Sequence, residues 1–190
     1  MARLAALIAM ALLLVACGSE KKQAGGTPTT STLSNRCKVA SDASTAARTS
    51  PALQNRETMY LTGVTTETND CRDRVVFSFR KGMPGPGYEV RYEPAESAKL
   101  EDGSGTAIAI EGSAFLVVRL SPAATAVTNG DKLELTYTGP KHVKPAGTRH
   151  VVEIAKTGDF EAVVTWVIGL DEERPFTATA SESQLVVDIS

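Results

Sequence analysis

From Met59 to the C-terminus, apolar and polar residues alternate with a period of two, and Gly, Pro or Asn signals break the alternation about every 8 to 12 residues. A period of two sends successive side chains to opposite faces of an extended chain. In Arg74–Arg80, the residues Val75, Phe77 and Phe79 share one face against Arg74, Ser78 and Arg80. In Lys132–Thr138, Leu133, Leu135 and Tyr137 oppose Lys132, Glu134, Thr136 and Thr138. In Gln184–Ser190, Leu185, Val187 and Ile189 oppose Gln184, Asp188 and Ser190. Each segment predicts a strand with one buried face, as in an antiparallel sheet. Ala114–Leu120 and Phe160–Leu170 are apolar on both faces and predict central strands.

Turns are expected at Met83–Gly87, Asp102–Gly105, Thr128–Asp131 and Thr157–Asp159, where Gly, Pro or Asn supplies a positive or fixed φ. No stretch after Met59 holds a 3.6-residue period over several turns, and no internal repeat is evident. The predicted fold is all-β: an antiparallel β-sandwich of short strands with little helix.

Upstream the pattern changes. Leu4–Val15 is an apolar run behind Arg3, too short to cross a bilayer as a helix, which takes roughly 20 residues. It reads as the h-region of an export signal, with Ala16 as the small residue before cleavage. The string Leu14-Val15-Ala16-Cys17 resembles the signal of a bacterial lipoprotein. That resemblance implies diacylglycerol on the Cys17 thiol, removal of residues 1–16 and an acyl chain such as palmitate on the new amino terminus. Two or more chains hold a protein on a membrane stably, where one does not. The expected location is extracytoplasmic, lipid-anchored to the cell membrane.

Between Gly18 and about Ser50 there is scarcely a bulky apolar residue, so the segment cannot bury enough surface to offset ordering. Residues 17–50 are expected to form a lipidated cysteine and flexible tether, with a reach of roughly 30 Å. Residues 51–190 form the domain. Besides Cys17 the chain has Cys37 and Cys71. In an exported protein the economical reading is a Cys37–Cys71 disulfide, contributing roughly 3 to 4 kcal/mol by the chain-entropy model. Two thiols with no neighbouring histidine make a poor zinc set, and no metal or cofactor is expected. The net charge is −2, or −3 once Arg3 is lost with the signal, and no basic stripe exists, so nucleic acid is not an expected partner.

Several segments, read in order, carry a resemblance: Asn69–Phe79, Gly87–Tyr92, Asp102–Gly105 leading to Gly112–Val118, Gly158–Glu161 with Thr165–Leu170, and Gln184–Ile189. As a set they resemble the AMIN-like domain of bacterial secreted proteins and lipoproteins, over about Met59 to Ser190. The resemblance implies a sandwich. By analogy with the AMIN domain, which targets envelope amidases and secretin assemblies, it implies an envelope role. Cys71, just before Asp73-Arg74, departs from the family pattern, as does Cys37 upstream.

Catalytic constellations are thin. His142 and His150 are the only histidines, and neither sits in a metal-binding or nucleophile-activating motif. Ser19–Lys22 has Ser-x-x-Lys spacing but lies in the tether, and Gly103-Ser104-Gly105 lacks the spacing of a nucleophile elbow. Asp171, Glu172 and Glu173 read as solvated turn charges. No catalytic residue is assigned, and the chain is not expected to be an enzyme.

Binding is the favoured class. Tyr88 and Tyr92 share a face with Val90 that is either core or an exposed patch, and they are the aromatic candidates for a ligand. Asp73-Arg74 is the polar candidate, with a strand-end salt bridge or turn cap as its structural alternative. The expected function is a lipid-anchored, non-catalytic envelope protein that binds or localises to peptidoglycan or an envelope partner. The alternative is an accessory or chaperone-like interaction module for another exported protein.

Overall fold

The computed structural model describes residues 39–50, 57–69, 71–80 and 87–190. Cys17, Cys37 and the expected turn at 83–86 lie outside them. The described strands are β1 (Arg48–Thr49), β2 (Met59–Thr68), β3 (Asp73–Phe79), β4 (Gly87–Glu93), β5 (Ala114–Ser121), β6 (Ala123–Ala124), β7 (Ala126–Asn129), β8 (Lys132–Leu135), β9 (His142–Val143), β10 (Val151–Phe160), β11 (Val163–Leu170), β12 (Phe176–Ala180) and β13 (Gln184–Ile189). One short helix, α1 (Ala95–Ala98), follows β4. The all-β expectation holds.

Two sheets face each other. The first has the order β1-β4-β5-β11-β10-β9, antiparallel throughout. The second has the order β12-β13-β3-β2-β6, antiparallel except for the parallel β2–β6 pair. The inner face of the first contributes Val90, Leu116, Val118, Leu120, Ile154, Val164, Trp166 and Ile168; the second contributes Leu61, Val75, Phe77, Phe176, Leu185, Val187 and Ile189. Trp166 crosses the gap to lie 6.1 Å from Phe77 and edge-on to Tyr137 at 5.4 Å. Each such side chain stabilises the fold by roughly 1.5–3 kcal/mol through burial.

β5 and β11 are central and buried on both faces, as their composition predicts. Their second face is covered by a strap, residues 98–112, whose Ala98, Ile108 and Ile110 pack on Phe115, Val117, Ala155 and Val167. The strap lies so close that a Cβ at Gly169 would overlap the Glu111 carbonyl oxygen.

Four expectations are corrected. Leu133 and Leu135 are 71% and 59% exposed, because β8 pairs only with β7 in a hairpin that belongs to neither sheet. Of that alternating set, Tyr137 alone is buried. Thr157–Asp159 is not a turn but lies inside β10, at a register shift between Lys156 and Gly158. The turn sits instead at Glu161-Ala162, both in the left-handed region with φ of 51° and 58°, the backbone of a two-residue hairpin turn. Phe160 ends β10 and is 63% exposed, rather than lying in a central strand. Finally, the tether does not run free to Ser50. Ser44 forms a bridge with Phe176, and Arg48–Thr49 pair with Val90 and Glu89.

Candidate functional site

The strap builds one wall of a cleft. Its turn is closed by the Gly105 amide donating to the Glu101 carbonyl (2.9 Å) and the Glu101 amide to the Thr106 carbonyl (2.8 Å). The turn is fastened to β10 where the Asp102 amide donates to the Thr157 carbonyl at 2.9 Å, and to β11 where the Thr165 hydroxyl donates to the Asp102 carboxylate. Gly158 permits this, since a Cβ there would overlap the Asp102 carboxylate. Gly158 thus serves a close approach, not the turn that glycine signals suggest.

The other wall is the far end of β10 and the residue before β9. Lys156 Nζ lies 3.1 Å from Asp159 and 3.2 Å from the Thr125 hydroxyl, which itself donates to Asp159. The Lys156 amide donates to the Lys141 carbonyl at 2.8 Å. Between the walls is an open cleft of about 570 Å³, lined by Glu101, Ser104, Lys141, Lys156, Asp159 and Phe160 among others. That volume lies within the range of small-molecule sites. The Ser104 hydroxyl donates to Glu101 at 2.8 Å, whereas Lys141 has no ion-pair partner among the described residues.

The residues singled out from sequence go elsewhere. Asp73 and Arg74 are adjacent, but the pleat sends them to opposite faces. Asp73 is 0% exposed and points inward, where it accepts hydrogen bonds from the amides of Arg149 (2.9 Å), His150 (2.6 Å) and Val151 (2.9 Å) and from the Thr68 hydroxyl (2.7 Å). Burial opposes its ionisation, but these donors outweigh burial and hold the carboxyl below its usual range. Arg74 faces outward and forms a two-pronged pair with Asp188 at 2.7 and 3.0 Å, with Glu67 3.8 Å away. Both therefore take the cap and salt-bridge roles.

Tyr88 and Tyr92 turn toward the opposite sheet and pack against the core. The Tyr88 hydroxyl donates to the Ala178 carbonyl at 3.1 Å, and the Tyr92 hydroxyl donates to the Arg174 carbonyl at 2.7 Å. Of the two readings of this face, the structure takes the core one. Cys71 is not a free cysteine, and its expected partner Cys37 lies outside the described residues.

The histidines engage carboxylates. His142 Nδ1 is 2.8 Å from Glu153, whose other oxygen accepts the Glu111 amide at 2.8 Å. His150 Nδ1 is 3.2 Å from Asp171, which also binds Arg174 in a fork at 2.9 Å. Arg174 chiefly, with His150, draws the Asp171 carboxyl down to about 2. Glu172 pairs with Arg174 at 2.7 Å. No hydroxyl or thiol side chain bonds to either histidine, and no three metal-ligating groups cluster, among the described residues.

Against this frame, the comparison with protein families matches residues 59–190 to the AMIN-like domain. The chain belongs to the AMIN-like family. Neither the curated proteins nor the solved structures give a match. The AMIN-like region begins with β2 and takes in both cleft walls, whereas Ser44 and β1 precede it. Of the cleft residues, the 102–105 turn and the 157–160 stretch stood out in the sequence, the latter as a turn and the start of a strand. Lys141 and Lys156 look like ordinary solvated lysines until the fold brings them to one rim.

Proposed function

We propose that this chain is a lipid-anchored, non-catalytic protein of the bacterial cell envelope whose sandwich binds peptidoglycan or an envelope partner outside the cytoplasm. The observation that carries this reading is AMIN-like family membership over residues 59–190, which suggests an envelope-associated role. The Leu14-Val15-Ala16-Cys17 string supports the anchor, with lipid on Cys17 and residues 1–16 removed. Cys37 and Cys71 form a disulfide in that oxidising space, which agrees with Cys71 not being free. A non-catalytic role accords with the commitment of both histidines to carboxylates.

Two measurements test the reading. Mass spectrometry of the N-terminus of protein from its native host should find a lipid-modified Cys17, and the protein should sediment with purified sacculi. An unmodified, freely shed chain that stays in the supernatant overturns both parts. A second reading, interaction with another exported protein, is favoured by the exposed Leu133 and Leu135. In that case crosslinking in intact cells yields one proteinaceous adduct, which Leu133→Ser with Leu135→Ser abolishes.

A further inference from the structure

We infer that the cleft between the 101–106 turn and the end of the β10–β11 hairpin is a saccharide site for a neutral oligosaccharide, with the Phe160 ring as the surface on which a sugar lies. This rests on the envelope-binding reading and names the place on the fold and the part of the polymer it would take.

Among the described residues, Phe160 is the only bulky apolar side chain in the cleft lining, and it is mostly exposed. Its position at the end of β10, opposite Val163, asks for no aromatic residue, and its ring meets no other aromatic ring among the described residues. What sets Phe160 apart from other exposed apolar side chains is its place in the lining of a concave polar cleft, where a ligand can lie against the ring.

The charges select the ligand. Lys156 is occupied by Asp159, Asp102 by Thr165, and Glu101 by Ser104. With two lysines against three carboxylates, the lining presents no strong field to either a polyanion or a polycation. Each carboxylate nevertheless retains lone pairs, and the Lys141 ammonium keeps its donors, so the rim offers fixed acceptors and donors within a short span. A molecule matching both features has an apolar C–H face and an edge of hydroxyls and amides that donate and accept. A pyranose ring has that shape. An apolar peptide does not, since it would find one ring and otherwise polar walls.

The chitin oligomer chitotetraose, titrated into the full chain in detergent micelles and followed by NMR, tests this directly. Saturable shifts should centre on Phe160, Ser104 and Lys141. Phe160→Ala should weaken binding about fivefold to tenfold and Lys141→Ala about threefold, while Phe160→Tyr preserves it. Both positions are exposed, so thermal midpoints should not move, and Leu133→Ser should bind like the parent. Shifts centred elsewhere, no saturation to roughly 10 mM, or Phe160→Ala binding like the parent would each overturn the assignment. Sedimentation with sacculi separates the two levels. A chain that sediments regardless of Phe160 retains the envelope reading and loses this site, whereas cleft binding without sedimentation does the reverse.

Discussion

The Tyr92 hydroxyl and the Arg174 backbone hold each other in both directions: the phenol donates to the Arg174 carbonyl at 2.7 Å, and the Arg174 amide donates to the phenol at 2.8 Å. Tyr92 belongs to the first sheet and Arg174 to the loop leading into the second, so one side chain fixes the corner between layers. Its ring also meets Phe176 edge-on at 5.9 Å. Tyr92→Phe keeps the ring and leaves the Arg174 amide without its acceptor. The expected loss is about 1–2 kcal/mol in urea unfolding, with chitotetraose binding unchanged; a weakened affinity instead would restore Tyr92 as a ligand contact.

Asp73 organises the approach to β10 from the opposite sheet. Asp73→Ala removes a buried acceptor and leaves the amides of residues 149–151 without a partner, which should cost roughly 2–4 kcal/mol in chemical denaturation. Asp73→Asn should be milder, because its amide oxygen still accepts. Equal losses would mean that charge, not acceptor geometry, holds the segment.

Acid should weaken the fold in a definite window. Asp171 ionises at about 2 in the folded chain against 3.8 ordinarily. A carboxyl depressed by folding contributes stability that is complete above the ordinary value and disappears as pH falls through the folded one. Stability should therefore fall between about pH 4 and pH 2, with Asp73 and Glu153, both held below their usual range, adding to the decline. Asp171→Asn should flatten part of that slope. Because Asp171 is partly exposed, the difference should shrink in high salt.

The turn at Glu161-Ala162 places two non-glycine residues at positive φ. Asn and Gly prefer that conformation, so Glu161→Asn with Ala162→Gly should raise stability by about 1 kcal/mol. A lower thermal midpoint in the double variant would contradict the assigned turn.

Leu133→Ser and Leu135→Ser should change unfolding free energy by no more than about 0.5 kcal/mol each. Were they core residues of a half-buried strand, each would cost several times that. The same variants should reduce self-association at high concentration, measured by light scattering.

These positions mark how far sequence alone reaches. Strands β3 and β13 were legible because a second layer packs one face, so burial and alternation carry the same information, and β5 and β11 because cover on both faces leaves them apolar throughout. At β8 that link fails: a two-stranded hairpin outside the sheets can alternate with nothing behind it. Gly158 misleads for a different reason. Glycine is needed there so that Asp102 can approach, and the true turn, beginning three residues later at Glu161, carries no glycine, asparagine or proline. The strap was implied only indirectly, since strands apolar on both faces require two covers, and few of its own residues are bulky. Asp73-Arg74 and Tyr88-Tyr92 stood out because the strands set them in regular order, which is a mark of architecture as readily as of a site. The cleft is assembled from three separate segments, at 101–104, 141 and 156–160, which give no sign in the sequence of meeting.

Ser44 touches β12 of one layer, and Arg48–Thr49 lie along β4 of the other, so the segment ahead of the family region is stitched across the seam of the sandwich. With the proposed Cys37–Cys71 bond intact, a load arriving from the front end passes through Cys37 to Cys71, just ahead of β3, and bypasses these stitches; with the bond reduced, the single bridge and the two-residue strand meet it first. Only then should they give way before the long β10–β11 pairing. The give in that segment is thus open to a reduced chain and locked out of an oxidised one.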